Sequence, residues 1–170
     1  YRYLKGRLGK TVCAAVVKAD AYGLGVAQVA PVLEKAGAEH FFVAHVDEGL
    51  ALRPYLSSTT SVTVLHGPRP DAAEVCARNN LRPVLNSLEQ VAVLRELAAK
   101  IDKPLDVAIQ LDTGMSRFGL SEAAIHKLAV SPELLEGLSV SLVMSHLACA
   151  DTPKNPANTM QRERFEAYAR

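Results

Sequence analysis

Short, apolar, β-rich runs alternate about six times with longer segments of helical period, and this alternation predicts βαβ units that feed a parallel sheet. Strands are expected at residues 11–17, 41–46, 62–66, 82–85, 105–111 and 139–145. Most are continuous apolar runs, as required when both faces of a sheet are covered. Between them, Val26, Val29, Ala30, Leu33 and Ala36 place apolar side chains on one helical face before Gly37 ends the element. Leu88, Val91, Leu94 and Leu97 repeat the pattern, with Asn86 or Ser87 as the expected cap. Ser121 with Glu122, and Ser131 with Pro132, bracket a third helix. Residues 152–158, with two prolines and two asparagines, read as a loop, and 160–170 as a helical run without a stop signal.

Such a chain is α/β, and either an open doubly wound sheet or a (β/α)8 barrel satisfies the pattern. A complete barrel takes about 250 residues. The chain has 170 and begins at Tyr1 rather than methionine. The barrel alternative is therefore a partial (β/α)8 TIM barrel of about six β-α units, with the chain incomplete.

Lys and Arg total 19 against 18 Asp and Glu, so no excess charge favours nucleic acid or an anionic membrane. A small neutral or zwitterionic ligand fits better. Three widely spaced cysteines, Cys13, Cys76 and Cys149, argue against a disulfide framework and against paired-cysteine zinc sites, which suits a cytoplasmic protein. No apolar stretch approaches the roughly 18 residues of a membrane span, and no export leader opens the chain. The spacing of His146 and Cys149 alone is a weak metal signal, and no metal is expected.

Three residues stand out for chemistry because each follows an expected strand, the place where barrel enzymes keep their reactive groups. Lys18 follows the first strand within Val17-Lys18-Ala19-Asp20-Ala21-Tyr22-Gly23. An amine there can join covalently to a carbonyl, Tyr22 can reach the same ligand, and glycines let backbone approach an anion. The bland alternative is a surface lysine that ends a strand. Arg117 follows the fifth strand through Asp112-Thr113-Gly114-Met115-Ser116 and offers a fixed guanidinium fork for a carboxylate or phenolate. A structural ion pair with Asp112 is the alternative, and Asp112 and Thr113 are read as turn residues. His146 follows the sixth strand, against the alternative of a satisfied core histidine. His45 and His66, also at strand ends, are read as structural or supporting residues.

The Lys18 run, read with Leu111 to Arg117, resembles alanine racemases of the fold-type III enzymes that use pyridoxal 5'-phosphate (PLP), and the likeness extends over essentially the whole chain. That resemblance implies that Lys18 forms the internal aldimine and is one of two catalytic bases. It implies that Tyr22 bonds the cofactor phosphate, that Leu65 is an apolar cofactor neighbour, that Arg117 contacts the phenolic oxygen and the substrate carboxylate, and that His146 packs against the pyridine ring. It further implies interconversion of L- and D-alanine, D-alanine supply for peptidoglycan, and a cytoplasmic homodimer. On this basis residues 1–170 are the N-terminal part of the PLP-binding barrel, and a C-terminal β-domain that supplies the second base, a tyrosine of the other subunit, is absent from the chain. The isolated segment is then expected to be inactive and poorly stable.

Two positions depart from the pattern. Gln110 stands where many members carry a carbamylated lysine beside the arginine, so either another anion neighbours Arg117 or its orientation is set differently. Leu24 stands where a histidine is common. A broad-specificity amino-acid racemase, a non-catalytic PLP carrier on the same barrel, and an open-sheet nucleotide-binding domain are the other readings.

Overall fold

Each strand pairs in parallel with the next along the sequence, and helices occupy the connections, in the computed structural model, which describes residues 1–169. The α/β class expected from the alternation holds. Arg170, the end of the expected terminal helical run, lies outside the described residues. The chain forms two compact units, Tyr1–Pro83 and a second that begins at Val84.

The first unit opens with α1 (Arg2–Leu8), followed by β1 (Ala15–Val16), the short turn α2 (Lys18–Tyr22) and α3 (Val26–Lys35). Then come β2 (His40–Val43), α4 (Val46–Leu52), β3 (Ser61–Val64), α5 (Ala73–Arg78) and β4 (Leu81–Leu85). The register links Ala15 to Phe41, Phe41 to Val62 and Val62 to Leu81, a row of four residues that are all buried. Ala30, Ala38, Val43, Leu52 and Val64 pack into the same core, which α3 meets with Val26, Val29 and Leu33 along one stripe. The helix ends at Lys35, and Gly37 takes the left-handed φ of 96° that turns the chain toward β2.

In the second unit, Val84 and Leu85 at the end of β4 pair with Ala108 and Ile109 of β5 (Leu105–Gln110), and β5 pairs with β6 (Leu138–Met144). The helices are α6 (Leu88–Ile101), α7 (Glu122–Val130) and α8 (Pro156–Tyr168). Ser87 rather than Asn86 caps α6, accepting from the Gln90 N–H, and Ser121 caps α7, accepting from the Ala124 N–H. Val91, Leu94, Leu97 and Ala98 form the buried face of α6.

The strands start or stop within a few residues of their expected bounds, and two differences have physical causes. Of the expected 11–17 run, Ala15 and Val16 pair with β2 and Val17 adds one N–H bond to the Phe42 carbonyl, whereas the Thr11 N–H closes a turn onto the Leu8 carbonyl and the Cys13 carbonyl accepts the Tyr1 hydroxyl. The expected loop at 152–158 ends early, at Asn155. Its side chain caps α8 by accepting from the Ala157 N–H, and Pro156 at the first helical position needs no donor there. The three cysteines are free, and burial pushes the Cys76 thiol up to about 11. No helix among the described residues is long and apolar enough to cross a membrane.

Phe41 is fully buried at the centre of the first unit's register row. Phe41→Ala is expected to cost roughly 3–5 kcal/mol, read as a lowered midpoint of chemical denaturation.

Candidate functional site

Lys18 lies two residues beyond β1 and begins a turn of the opposite hand to an ordinary helix. Ala19, Asp20, Ala21 and Tyr22 hold φ of 53°, 52°, 54° and 56°, and none of them is glycine. Each L-residue wound this way costs roughly 1–2 kcal/mol, so four in succession persist only where their surroundings dictate it. The Ala21 N–H donates to the Val17 carbonyl and the Gly23 N–H to the Ala19 carbonyl, both at 2.9 Å. Asp20 Oδ1 accepts the Val26 N–H at 2.7 Å, tying the turn to the start of α3. The Ala21 methyl is buried.

One carboxylate joins this turn to β2. Glu48 Oε1 accepts the Ala19 N–H at 2.9 Å, while Oε2 accepts the N–H groups of Ala44 at 2.6 Å and His45 at 3.3 Å, just before α4. Burial acts to raise the Glu48 carboxyl, but the three backbone donors and the nearby His45 outweigh it and hold it below the usual carboxylate range. The Lys18 amine and the Tyr22 phenol have no hydrogen-bond or ion-pair partner among the described residues. Tyr22 is 64% exposed. Leu65 directly follows β3 and is half-buried, its N–H donating to the Val43 carbonyl. His45 and His66 pack edge to face, ring centroids 4.2 Å apart.

In the second unit Arg117 sits on the loop after β5. Asp112 does not pair with it. Asp112 Oδ1 instead accepts the N–H groups of Gly114 and Ser116, both at 3.0 Å, as a turn-forming carboxylate does. The guanidinium is exposed, lies 5.8 Å from the centroid of the Phe118 ring, and has no ion pair among the described residues. Gln110 is buried, and its Nε2 donates to the Phe118 carbonyl at 3.2 Å. The Leu120 N–H returns to the Gln110 carbonyl and the Asp112 N–H to the Leu120 carbonyl, closing the loop at its base. A neutral amide thus ties β5 to the backbone of the Arg117 loop. Gly119 makes this closure possible: a Cβ there would lie 2.7 Å from the Asp112 nitrogen and 2.9 Å from the Leu111 carbonyl carbon.

His146 lies two residues beyond β6 with an exposed side chain. Its backbone is held by Gln161 of α8, which is only 1% exposed. Gln161 Nε2 donates to the His146 carbonyl at 3.0 Å and to Thr113 Oγ1 at 3.1 Å, and Gln161 Oε1 accepts the Ala148 N–H at 2.9 Å. Ser145 Oγ lies 2.7 Å from Thr113 Oγ1 and donates to the Leu111 carbonyl. The loops after β5 and β6 are therefore tied by one buried polar network, each member satisfied.

Every expected site residue thus follows a strand or closes the turn that does, but several residues that position them were not singled out from sequence. Glu48 carried a faint signal, since an acid three residues after a helix cap often reaches back to it. Gln161, a polar residue in a polar helix, carried none.

A family model described as alanine racemase, N-terminal domain, matches residues 1–170. The chain is 47% identical over 161 residues to a catabolic alanine racemase of Agrobacterium fabrum, covering 95% of this chain and 42% of that protein. A crystal structure of alanine racemase from Bartonella henselae with covalently bound pyridoxal phosphate superposes with a TM-score of 0.95 at 36% identity, over 99% of this chain and 49% of that one. The six parallel strands with their helices match the corresponding part of its barrel. A histidine racemase from Leuconostoc mesenteroides subsp. sake gives 0.86 at 26% identity, over 97% of this chain and 44% of that one. The chain spans less than half the length of these relatives.

Two outcomes follow from the local geometry. Because the Glu48 carboxyl titrates lower in the folded protein than in the unfolded chain, its contribution is complete above pH 4.5, its ordinary value, and is lost as pH falls through the lower folded value. The thermal midpoint of Glu48→Gln should approach that of the parent as pH is lowered through that window. Gly119→Ala forces backbone apart at the base of the Arg117 loop and is expected to cost roughly 1–3 kcal/mol in denaturant unfolding, with amide NMR shifts centred on residues 110–120.

Proposed function

Given that this chain belongs to the family of alanine racemase N-terminal domains, we propose that it is the N-terminal barrel portion of a PLP-dependent enzyme interconverting L- and D-alanine. The observation that carries the proposal is Lys18: an amine with no partner among the described residues, at the carboxyl end of a parallel strand, on a turn whose backbone is wound against its intrinsic preference. Strain of that kind is kept where position matters.

The donor set suits PLP. Lys18 offers an amine to the aldehyde, Tyr22 a phenol to the phosphate, Arg117 a guanidinium to the phenolic oxygen and to a substrate carboxylate, His146 a ring to stack on the pyridine, and Leu65 an apolar neighbour. When bound, the cofactor supplies an electron sink for the pair left at the α-carbon when its proton departs. Lys18 Nζ, in its neutral form, takes or returns that proton on one face. Reversal of configuration needs a second acid/base group on the other face. In this reading that group is a tyrosine of a C-terminal β-domain from the other subunit, so activity belongs to a full-length homodimer and the segment alone is inactive. Supply of D-alanine to peptidoglycan in the cytoplasm completes the proposal.

A second reading, a racemase of broader or different amino-acid range, draws on the histidine racemase that shares this half of the fold. Turnover of the full-length protein on alanine, serine, lysine, arginine and histidine separates the two: a preference for alanine is expected.

Borohydride reduction of the full-length protein with PLP, followed by peptide mapping, is expected to mark Lys18, and Lys18→Ala to abolish the mark and lower racemisation by several orders of magnitude. A mark on another lysine would remove the proposal.

A further inference from the structure

We propose that Glu48 is a positioning residue for Lys18: its carboxylate fixes the left-handed turn against the end of β2 and thereby sets where the lysine amine stands. The proposal rests on the reading of Lys18 as the PLP amine.

The β1–β2 ladder ends with the Val17 N–H donating to the Phe42 carbonyl at 2.9 Å. Beyond that rung the chain leaves the strand, and two N–H groups, of Ala19 and of Ala44, turn to a common acceptor. Two donors cannot pair with each other, and the half-buried Ala44 N–H is costly to leave unpaired. Glu48 resolves this by accepting one on each oxygen, Ala19 on Oε1 and Ala44 on Oε2, with His45 also on Oε2. The side chain therefore takes the place of a ladder rung at the residue that directly follows Lys18.

The chemistry of the acceptor is specific. A glutamine presents one oxygen and one NH2, so it can serve Ala19 or Ala44 but confronts the other with a second donor. An aspartate is a methylene shorter. The Ala19 N–H also lies in the opening of the turn that begins at Lys18, among the donors that have no partner within their own helix. With it released, the turn keeps its own backbone bonds and the Asp20 tie to Val26 but loses its tie to the end of β2, which frees the Lys18 backbone to shift relative to that strand.

The test uses the full-length holoprotein and three measurements. Glu48→Gln is expected to keep the far-ultraviolet circular dichroism of the parent and to label at Lys18 with PLP and borohydride. It should retain PLP on the order of tenfold less tightly, as expected for loss of one charge-assisted hydrogen bond, with a weakened visible dichroic band of the bound cofactor. Glu34→Gln serves as the control, because the Glu34 carboxylate also holds a backbone N–H, that of Ser57, in the same unit but away from Lys18. It should leave PLP retention and the visible band unchanged. Equal retention and an equal band in Glu48→Gln and parent, with Lys18 labelled in both, overturns the assignment while leaving the reading of Lys18 intact, and so does an equal loss in Glu34→Gln. A label elsewhere in the parent overturns both. Should Glu48→Gln fail to fold, hydrogen exchange in the unaltered protein decides: a protected Ala19 amide supports the assignment, and exchange at the free-chain rate overturns it.

Discussion

A strand that pairs in parallel with its predecessor can be reached only by a crossover, and this constraint organises the whole chain. Each connection must climb back past the sheet, so helices fill the connections, and strands such as β3 and β5 are buried along most of their length. Within each unit the loops that leave the strands' carboxyl ends are then free of the packing that fixes the crossovers. The candidate residues sit there. Lys18 and Leu65 follow β1 and β3 in the first unit, and Arg117 and His146 follow β5 and β6 in the second.

Hydrogen bonding to backbone holds those loops, alongside apolar contacts such as that of the buried Ala21. Glu48 accepts three N–H groups around the Lys18 turn, Asp112 two in the Arg117 loop, and Gln161 bridges the His146 backbone to Thr113. These contacts are short-range and directional, which lets a loop adopt one shape without a core of its own. They also leave two charged groups proposed for chemistry without an ion pair among the described residues, the Lys18 amine and the Arg117 guanidinium.

The class of fold was readable from periodicity alone, because burial on two faces writes itself into strands such as those around Val62 and Val107. Helix starts were readable too where a hydroxyl cap announces them, as at Ser87 and Ser121. Strand lengths were less so: Thr11 and Val12 have the composition of a strand, yet the turn after α1 claims the Thr11 N–H. The Lys18 motif marked this stretch of chain, but its left-handed course was hidden, since Ala and Tyr carry no sign of positive φ. The partner of Gln110 was hidden as well. Its amide bonds a backbone carbonyl eight residues on, and a backbone acceptor leaves no trace in residue identity.

The reversed winding after Lys18 inverts the usual arithmetic of substitution. Elsewhere in a helix, exchanging alanine for glycine loosens the unfolded chain and removes a favoured geometry, and the protein loses on both counts. At Ala19, whose side chain is exposed, the folded backbone already sits in the conformation glycine tolerates and alanine resists. Tolerance to mutation and fidelity of the lysine's placement are thereby separated. A glycine here would hold the folded backbone at less strain while surrendering the stiffness that keeps one nitrogen in register.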